Sequence, residues 1–239
     1  MHELAAYSEV DTQRFGKRIY RATLRDVDDV AALASVAEAQ QIDMLIARCP
    51  VGEARLVHAL EQHDYLLMDT LLYYAGPSRA FEQATWDHSI REATRDDRDA
   101  VEAVATDAFT NYDGHYHADP RLDPKLATLG YVDWCMNCLK RQDHTVWIAA
   151  DGPTVMGFIA VHSDEGAADV VLNGVASSFR RRRVYESLLK AAGREAFRRG
   201  FAEVRSSTHL GNLAPQRAWI KNGMSIVRAV YTFHKWFDR

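Results

Sequence analysis

Residues 168–200 read ADVVLNGVASSFRRRRVYESLLKAAGREAFRRG, and the parsing of this stretch decides the fold. Residues 168–175 are an apolar, β-branched run of the length of a buried strand. Residues 184–197 set Val184, Leu188, Leu189, Ala192 and Ala196 on one helical stripe, and Gly200 follows as a closing glycine. Between them lies Ser177-Ser178-Phe179-Arg180-Arg181-Arg182-Arg183. A strand, a tight basic loop and a helix N-terminus make a place for phosphate, because unpaired backbone N–H groups and the positive end of the helix dipole meet there. Four arginines add planar, forked donors suited to a diphosphate. The alternative is a solvated basic face, the usual nature of a charge run.

The same grammar extends to both sides. Residues 146–150 and 154–162 read as two strands joined at Asp151-Gly152-Pro153, a hairpin signal. Before them come a strand at 90–93, a helix at 96–109, a polar loop at 110–124 and an aromatic-rich helix at 125–140. After residue 200 come a strand at 204–208, a helix at 213–222 and a strand at 226–237. The first part of the chain is shorter. It reads as a strand at 19–24, a helix at 25–39 carrying Val27, Val30, Leu33 and Val36, and a strand at 42–46. A Cys49-Pro50 break, a helix at 53–62 and a strand at 65–74 follow. Gly76, Pro77 and Ser78 open a linker-like stretch, so the expected division is residues 1–78, a linker at 79–88 and residues 89–239. The segments IYRATLRDVDDVAALA (19–34) and IREATRDDRDAVEAVA (90–105) are alike, which is either an internal duplication or the chance likeness of two strand–helix units.

A chain of 239 residues with 47% hydrophobic and 26% charged residues is globular, which excludes a disordered or fibrous protein. A net charge of −4 gives no bulk drive toward nucleic acid or an anionic membrane. No run approaches the ~18 apolar residues of a membrane span. Three cysteines, an odd number, argue against a disulfide framework, so a reducing, cytoplasmic setting is expected. Cys135-x-x-Cys138 on a predicted helix reads as two buried thiols, and His115-x-His117 lacks a third ligand, so no metal is expected.

Val175, followed by Arg180-x-x-Arg183-x-Tyr185, resembles the phosphate loop of the GNAT superfamily of acyl-CoA-dependent N-acyltransferases, Gln/Arg-x-x-Gly-x-Gly/Ala after a valine-containing strand. Ile90-Arg91-x-Ala93-Thr94 with Asp97, Gly157-Phe158, and Asn212 seven residues before Trp219 with Asn222-Gly223-Met224 after it resemble further family elements in the family's order. More narrowly, residues 115–121 (HYHADPR), Asn212-Leu213-Ala214-x-Gln216-Arg217 and Thr232-Phe233-His234-Lys235-Trp236 resemble the dTDP-4-amino-sugar N-acetyltransferases of bacterial surface-polysaccharide synthesis, the dTDP-fucosamine enzymes among them. Phe15-Gly16 with Ile19, and residues 43–50, resemble the truncated α/β domain that precedes the acyltransferase domain in that subfamily.

The resemblance implies an α/β (α+β) GNAT fold with a mixed, mostly antiparallel central sheet behind a smaller, truncated GNAT-like domain. It implies acetyl-CoA, or another short acyl-CoA, as acyl donor, held by Gly174, Val175, Phe179, Arg180, Arg181, Arg182, Arg183, Val184, Tyr185, Asn212 and Lys221. His115, Tyr116, His117, Asp119 and Arg121 would face a nucleotide-linked amino sugar, with a histidine suited to take a proton and Arg121 suited to a diphosphate. Three positions depart from the family pattern. Arg183 and Tyr185 stand where small residues let phosphate approach the backbone, so Arg183 must turn its side chain away. Trp219 stands where the family commonly has the tyrosine that protonates the departing thiolate, and an indole has no transferable proton at neutral pH. Three accounts follow: the thiolate leaves without a strong acid, another residue such as His209 or Tyr231 serves, or activity is low. Acylation of another small amine, and a non-catalytic acyl-CoA-binding module with a degraded loop, are the rival readings. An exposed apolar strand edge could pair two chains into a homodimer.

Overall fold

The computed structural model describes residues 4–164 and 166–237. In chain order the elements of the first third are β1 (Ala6–Tyr7), α1 (Glu9–Phe15), β2 (Ile19–Thr23), α2 (Val27–Ala39), β3 (Met44–Pro50), α3 (Ala54–Gln62) and β4 (Leu66–Pro77). Next come β5 (Ser89–Glu92), α4 (Arg98–Phe109), α5 (His115–Ala118), α6 (Pro124–Cys138), β6 (His144–Asp151), β7 (Thr154–Asp164) and β8 (Ala167–Val175). The chain ends in α7 (Val184–Arg198), β9 (Glu203–His209), α8 (Leu213–Lys221) and β10 (Ser225–Trp236). Helices and mostly antiparallel strands together make the mixed α/β class expected from the sequence. No helix among the described residues is long and apolar enough to cross a membrane.

The chain forms two compact units that interleave along the sequence. The first holds residues 1–72, 113–127 and 228–239, the second residues 73–112 and 128–227. Residues 113–127 and 228–239 thus pack with the first unit although they follow the 79–88 stretch in sequence.

In the first unit the strand order is β1-β2-β3-β10, with β2 parallel to β3 and the outer pairs antiparallel. Helix α2 starts cleanly because Asp26 and Asp29 form a reciprocal capping box, and it buries Val30, Leu33 and Ala37. Three features differ from the sequence reading. The strand β1 and helix α1 are additional, because α1 (EVDTQRF) has no apolar stripe and is anchored by a buried acid instead. Asp11 is 0% exposed; it accepts from Tyr116 Oη at 2.7 Å and from Arg21 Nε at 2.7 Å. Cys49-Pro50 is no break, for both residues end β3. The polar loop contains the short helix α5, whose His115 and Tyr116 are buried.

That helix belongs to a buried polar chain in the first unit. Asp119 Oδ2 lies 2.8 Å from His234 Nδ1, and His234 Nε2 lies 3.0 Å from His115 Nδ1. Asp119 also accepts from Trp236 Nε1 at 2.9 Å and from the Arg121 N–H at 2.9 Å. Burial alone would raise the Asp119 pKa, but His234, the Arg121 amide and Trp236 hold it below the usual carboxylate range. Asp119 is therefore an anion that accepts the His234 Nδ1–H, which leaves His234 Nε2 to accept from His115 Nδ1–H. Burial pushes the His115 pKa well below its ordinary value, and the positive charges of Arg48 and Arg21 add to this.

The second unit has the strand order β4-β9-β8-β7-β6-β5, antiparallel from β5 through β8. Gly152, at φ +55°, makes the β6–β7 turn. β8 and β9 are parallel and pair only over Ala167–Val170 with Glu203–Ser206. Beyond this they part, although β8 runs on to Val175 and β9 to His209. The 79–88 stretch is bound to this unit rather than free. Phe81 is 0% exposed against Gly193 of α7, His88 Nδ1 lies 2.9 Å from Ser187 Oγ, and Arg194 sits 4.5 Å over the Trp86 ring.

A Cβ on Gly193 would fall within 3 Å of three Phe81 ring atoms, so Gly193→Ala should cost about 1–3 kcal/mol in chemical denaturation; an unchanged midpoint would contradict this packing. His115 is kept neutral when folded and has a pKa of about 6.5 when unfolded, so its stabilisation is complete above that value and is lost as pH falls below it. The melting temperature should therefore drop between pH 7 and pH 5, and His115→Phe should flatten that slope; an equally steep slope would exclude His115 as its source.

Candidate functional site

The arginine loop joins β8 to α7 within the second unit. Residues Ser177–Phe179 form a 3₁₀ turn, and Arg181 and Arg183 take the left-handed conformation at φ +63° and +61°. This conformation favours glycine, which the family loop has at the Arg183 position. Ser187 N–H donates to Arg183 O, while the N–H groups of Arg181 through Glu186 donate to no backbone acceptor among the described residues. Successive amides around left-handed residues point into one concavity, and the helix dipole adds positive potential there. The Ser177 amide, just before them, is taken by the Asp107 carboxylate.

The four guanidiniums behave differently. Arg180 donates to Ala108 O at 3.4 Å, and Arg182 lies 5.4 Å over the Phe179 ring. Arg183 turns away to Glu186 at 3.3 Å and Asp87 at 3.5 Å. Glu186 also binds Lys221 at 2.7 Å and Lys190 at 3.2 Å. Lys221 first, then Arg183 and Lys190, hold the Glu186 carboxyl down at about 2. Arg183, expected beside a diphosphate, and Lys221, expected near the cofactor, are thus partly neutralised by one carboxylate. Arg180, Arg181 and Arg182 have no acidic partner among the described residues.

The cleft between β8 and β9 ends near the loop. Gly174 lies on β8 beyond the last β8–β9 pair, but its lack of a side chain is a packing requirement: a Cβ there would stand 2.8 Å from the Phe158 ring. Asn212 precedes α8, and its Nδ2 donates to Thr208 Oγ1 at 3.0 Å. Gln216 fixes this turn by donating to the carbonyls of Leu210 at 2.9 Å and Asn212 at 3.0 Å. His209 packs edge-on against Tyr112 at 5.2 Å.

Two of the three residues that depart from the family pattern, Tyr185 and Trp219, touch. Trp219 is 0% exposed, lies 4.9 Å from the Tyr74 ring, and donates its Nε1–H to Tyr185 Oη at 2.6 Å. Because that oxygen accepts the indole proton, the phenolic hydrogen of Tyr185 points elsewhere. Desolvation raises the Tyr185 pKa, partly opposed by the Trp219 N–H, so the phenol stays protonated at neutral pH. Sequence reasoning named both residues but missed their contact, since they are 34 positions apart on two helices.

The 115–121 residues lie in the first unit. His115 and Asp119 belong to the buried chain described above, Tyr116 is held by Asp11, and Arg121 lies 4.3 Å over the Trp236 ring. Burial lowers the His117 pKa, partly offset by Asp113. His234 completes this group, and its only sequence signal was its place in the terminal aromatic segment.

A family model described as acetyltransferase (GNAT) family matches residues 100–224. No curated protein matches the chain at a significant level. Among solved structures, a GCN5-related N-acetyltransferase from Sphaerobacter thermophilus is similar at TM-score 0.66 and 15% identity, over 91% of this chain and 73% of that one. A functionally unknown conserved protein from Staphylococcus epidermidis is similar at TM-score 0.70 and 12% identity, over 100% of this chain and 93% of that one. A tandem GNAT protein from the clavulanic acid biosynthesis pathway is similar at TM-score 0.58 and 12% identity, over 92% and 76%. The family match spans more than half of the 239 residues and includes the parting strands and the arginine loop: the chain belongs to the GNAT acetyltransferase family, and its fold is that of an acyl-CoA-dependent N-acetyltransferase.

Proposed function

We propose that this protein transfers an acetyl group from acetyl-CoA to the amine of a nucleotide-linked amino sugar of the dTDP-4-amino-4,6-dideoxyhexose type. The observation that carries the acyl-CoA part is the row of unpaired amides from Arg181 to Glu186 beside three arginines without acidic partners. The donor set fits a diphosphate: amides and guanidiniums are the groups that bind phosphate oxygens. The acceptor reading rests on the resemblance of residues 115–121, 212–217 and 232–236 to the amino-sugar enzymes. A solved tandem GNAT structure similar over most of this chain supports a first domain at residues 1–78 of the same ancestry as residues 89–239.

Acetyl-CoA, when bound, supplies an activated acyl group with a thiolate leaving group. The amides of the loop and Arg180, Arg181 and Arg182 hold its diphosphate. The unpaired edge of β8 near Gly174 and Val175 offers backbone groups along the cleft and a donor for the oxyanion. Tyr185 holds the transferable proton that Trp219 lacks, and the Trp219 indole fixes where its oxygen lies. The attacking amine would release its proton to water, and Tyr185 would deliver one proton to the departing sulfur and be reprotonated from the same solvent, so that the protons balance. His209, held edge-on against Tyr112, keeps a structural role.

A second reading, a binding module that does not turn over, is favoured by the capture of Arg183 and Lys221 by Glu186. Turnover separates the two. Thiol release from acetyl-CoA with a dTDP-4-amino sugar should be rapid, whereas binding without release under any amine supports the module. Acetyl-CoA affinity should fall as salt rises from low ionic strength, where the Debye length is about 30 Å at 0.01 M. In Arg180→Ala/Arg182→Ala both the affinity and its salt slope should shrink; a variant that binds as tightly would remove the loop from the site. Tyr185→Phe should lower kcat by about 10²-fold with KM little changed, and Trp219→Phe by less. A fully active Tyr185→Phe enzyme would assign the thiolate no acid from this residue.

A further inference from the structure

The second unit holds a group of side chains that acyl transfer does not use. Strands β6 and β7 are antiparallel and pair His144 with His162 directly. Their rings lie 4.8 Å apart, inclined by 31°. Asp143 precedes His144, and its carboxylate reaches both: Oδ1 lies 2.8 Å from His144 Nδ1 and Oδ2 lies 3.5 Å from His162 Nε2. The Asp143 backbone is fixed by Ser163 N–H, which donates to its carbonyl at 3.0 Å. One nitrogen from each ring and one carboxylate oxygen all fall within 4.8 Å of one another.

From this geometry we infer that Asp143, His144 and His162 form a binding site for a divalent ion of the zinc class. Two imidazoles and a carboxylate are the donor types such an ion selects, and with bonds of about 2.0–2.1 Å a tetrahedral zinc sets its donors roughly 3.4 Å apart. The observed separations, 2.8 and 3.5 Å with all three donors within 4.8 Å of one another, lie near that spacing. The register is the device that makes the site, for it places two histidines 18 positions apart in sequence face to face at the pleat. The imidazole side chains are 9% and 30% exposed, which leaves one side open for a water ligand.

Asp169 extends the row on β8, opposite His162, and its neighbour Arg205 on β9 is occupied by Glu203 at 2.9 Å. A carboxylate one strand farther on adds negative potential that favours a bound cation. The competitor for Asp143 is Arg141, which binds it through two N–H groups at 2.9 and 2.6 Å. Arg141 is more than half exposed and can swing into water when an ion takes the carboxylate. The site lies toward the start of β8, whereas the arginine loop follows its end, so the inference stands whether or not the acyl-transfer reading holds.

The experiment is a zinc titration of the whole protein against a chromophoric chelator at neutral pH, with cobalt absorption as a second readout. The native chain should bind one equivalent, and cobalt should give the bands of a four-coordinate site. His162→Ala should weaken zinc binding by about 100-fold, and Arg141→Gln should tighten it, since the competing guanidinium is gone. Circular dichroism of each metal-free variant establishes that it is folded, and Arg141→Gln keeps the test decisive if the alanine variant does not fold. Zinc affinity equal in native and His162→Ala chains, an affinity lowered by Arg141→Gln, or no competition with the chelator would each overturn the site.

Discussion

A backbone N–H without an acceptor is a demand that the rest of a structure must meet, with water, a side chain or a ligand. Here that demand is concentrated at one place. The chain leaves β8, turns through two left-handed arginines and enters α7 with a succession of amides uncommitted. Every other feature of the candidate site refers to this turn. The parting of β8 from β9 after Val170 gives an elongated ligand an edge to lie along. The packing of Phe81 on Gly193 and of Val184 in the core fixes the helix whose first turn bears the amides.

Electrostatics refine this arrangement. Glu186 in the first turn of α7 draws in Arg183, Lys190 and Lys221, so the positive charge of the site comes from the amides and from Arg180, Arg181 and Arg182. A carboxylate in that turn is itself favoured by the helix dipole. The loop therefore works without the family's glycine by sending the Arg183 side chain sideways to an acid. The exchange of a tyrosine for Trp219 has a comparable logic. An indole N–H donates where a phenol would have donated, and the phenol of Tyr185 is its acceptor. Two departures that look like losses when read separately make one hydrogen-bonded pair.

Much of this was legible in the sequence, and the reasons for the rest are physical. The helix α7, the β6–β7 hairpin and the strand-loop-helix unit are local, and periodicity with turn residues marks them. Helix α1 was not legible, because its anchor is Asp11 bonded to Tyr116, 105 positions away. The 75–88 stretch has linker composition, yet Phe81 is buried and Asp87 meets Arg183, contacts no composition reveals. The His115–His234–Asp119 chain joins residues more than 110 positions apart, so only the first and last of its members stood out, as a polar cluster. The pairing of His144 with His162 depends on strand register, which a one-residue slip would abolish.

Amide hydrogen exchange with and without coenzyme A reads out whether the amides from Arg181 to Glu186 cradle the diphosphate of the acyl carrier. Exchange should slow in this turn on binding, by more than in β6 or α4. Exchange that is unchanged there while the ligand is bound elsewhere would contradict it.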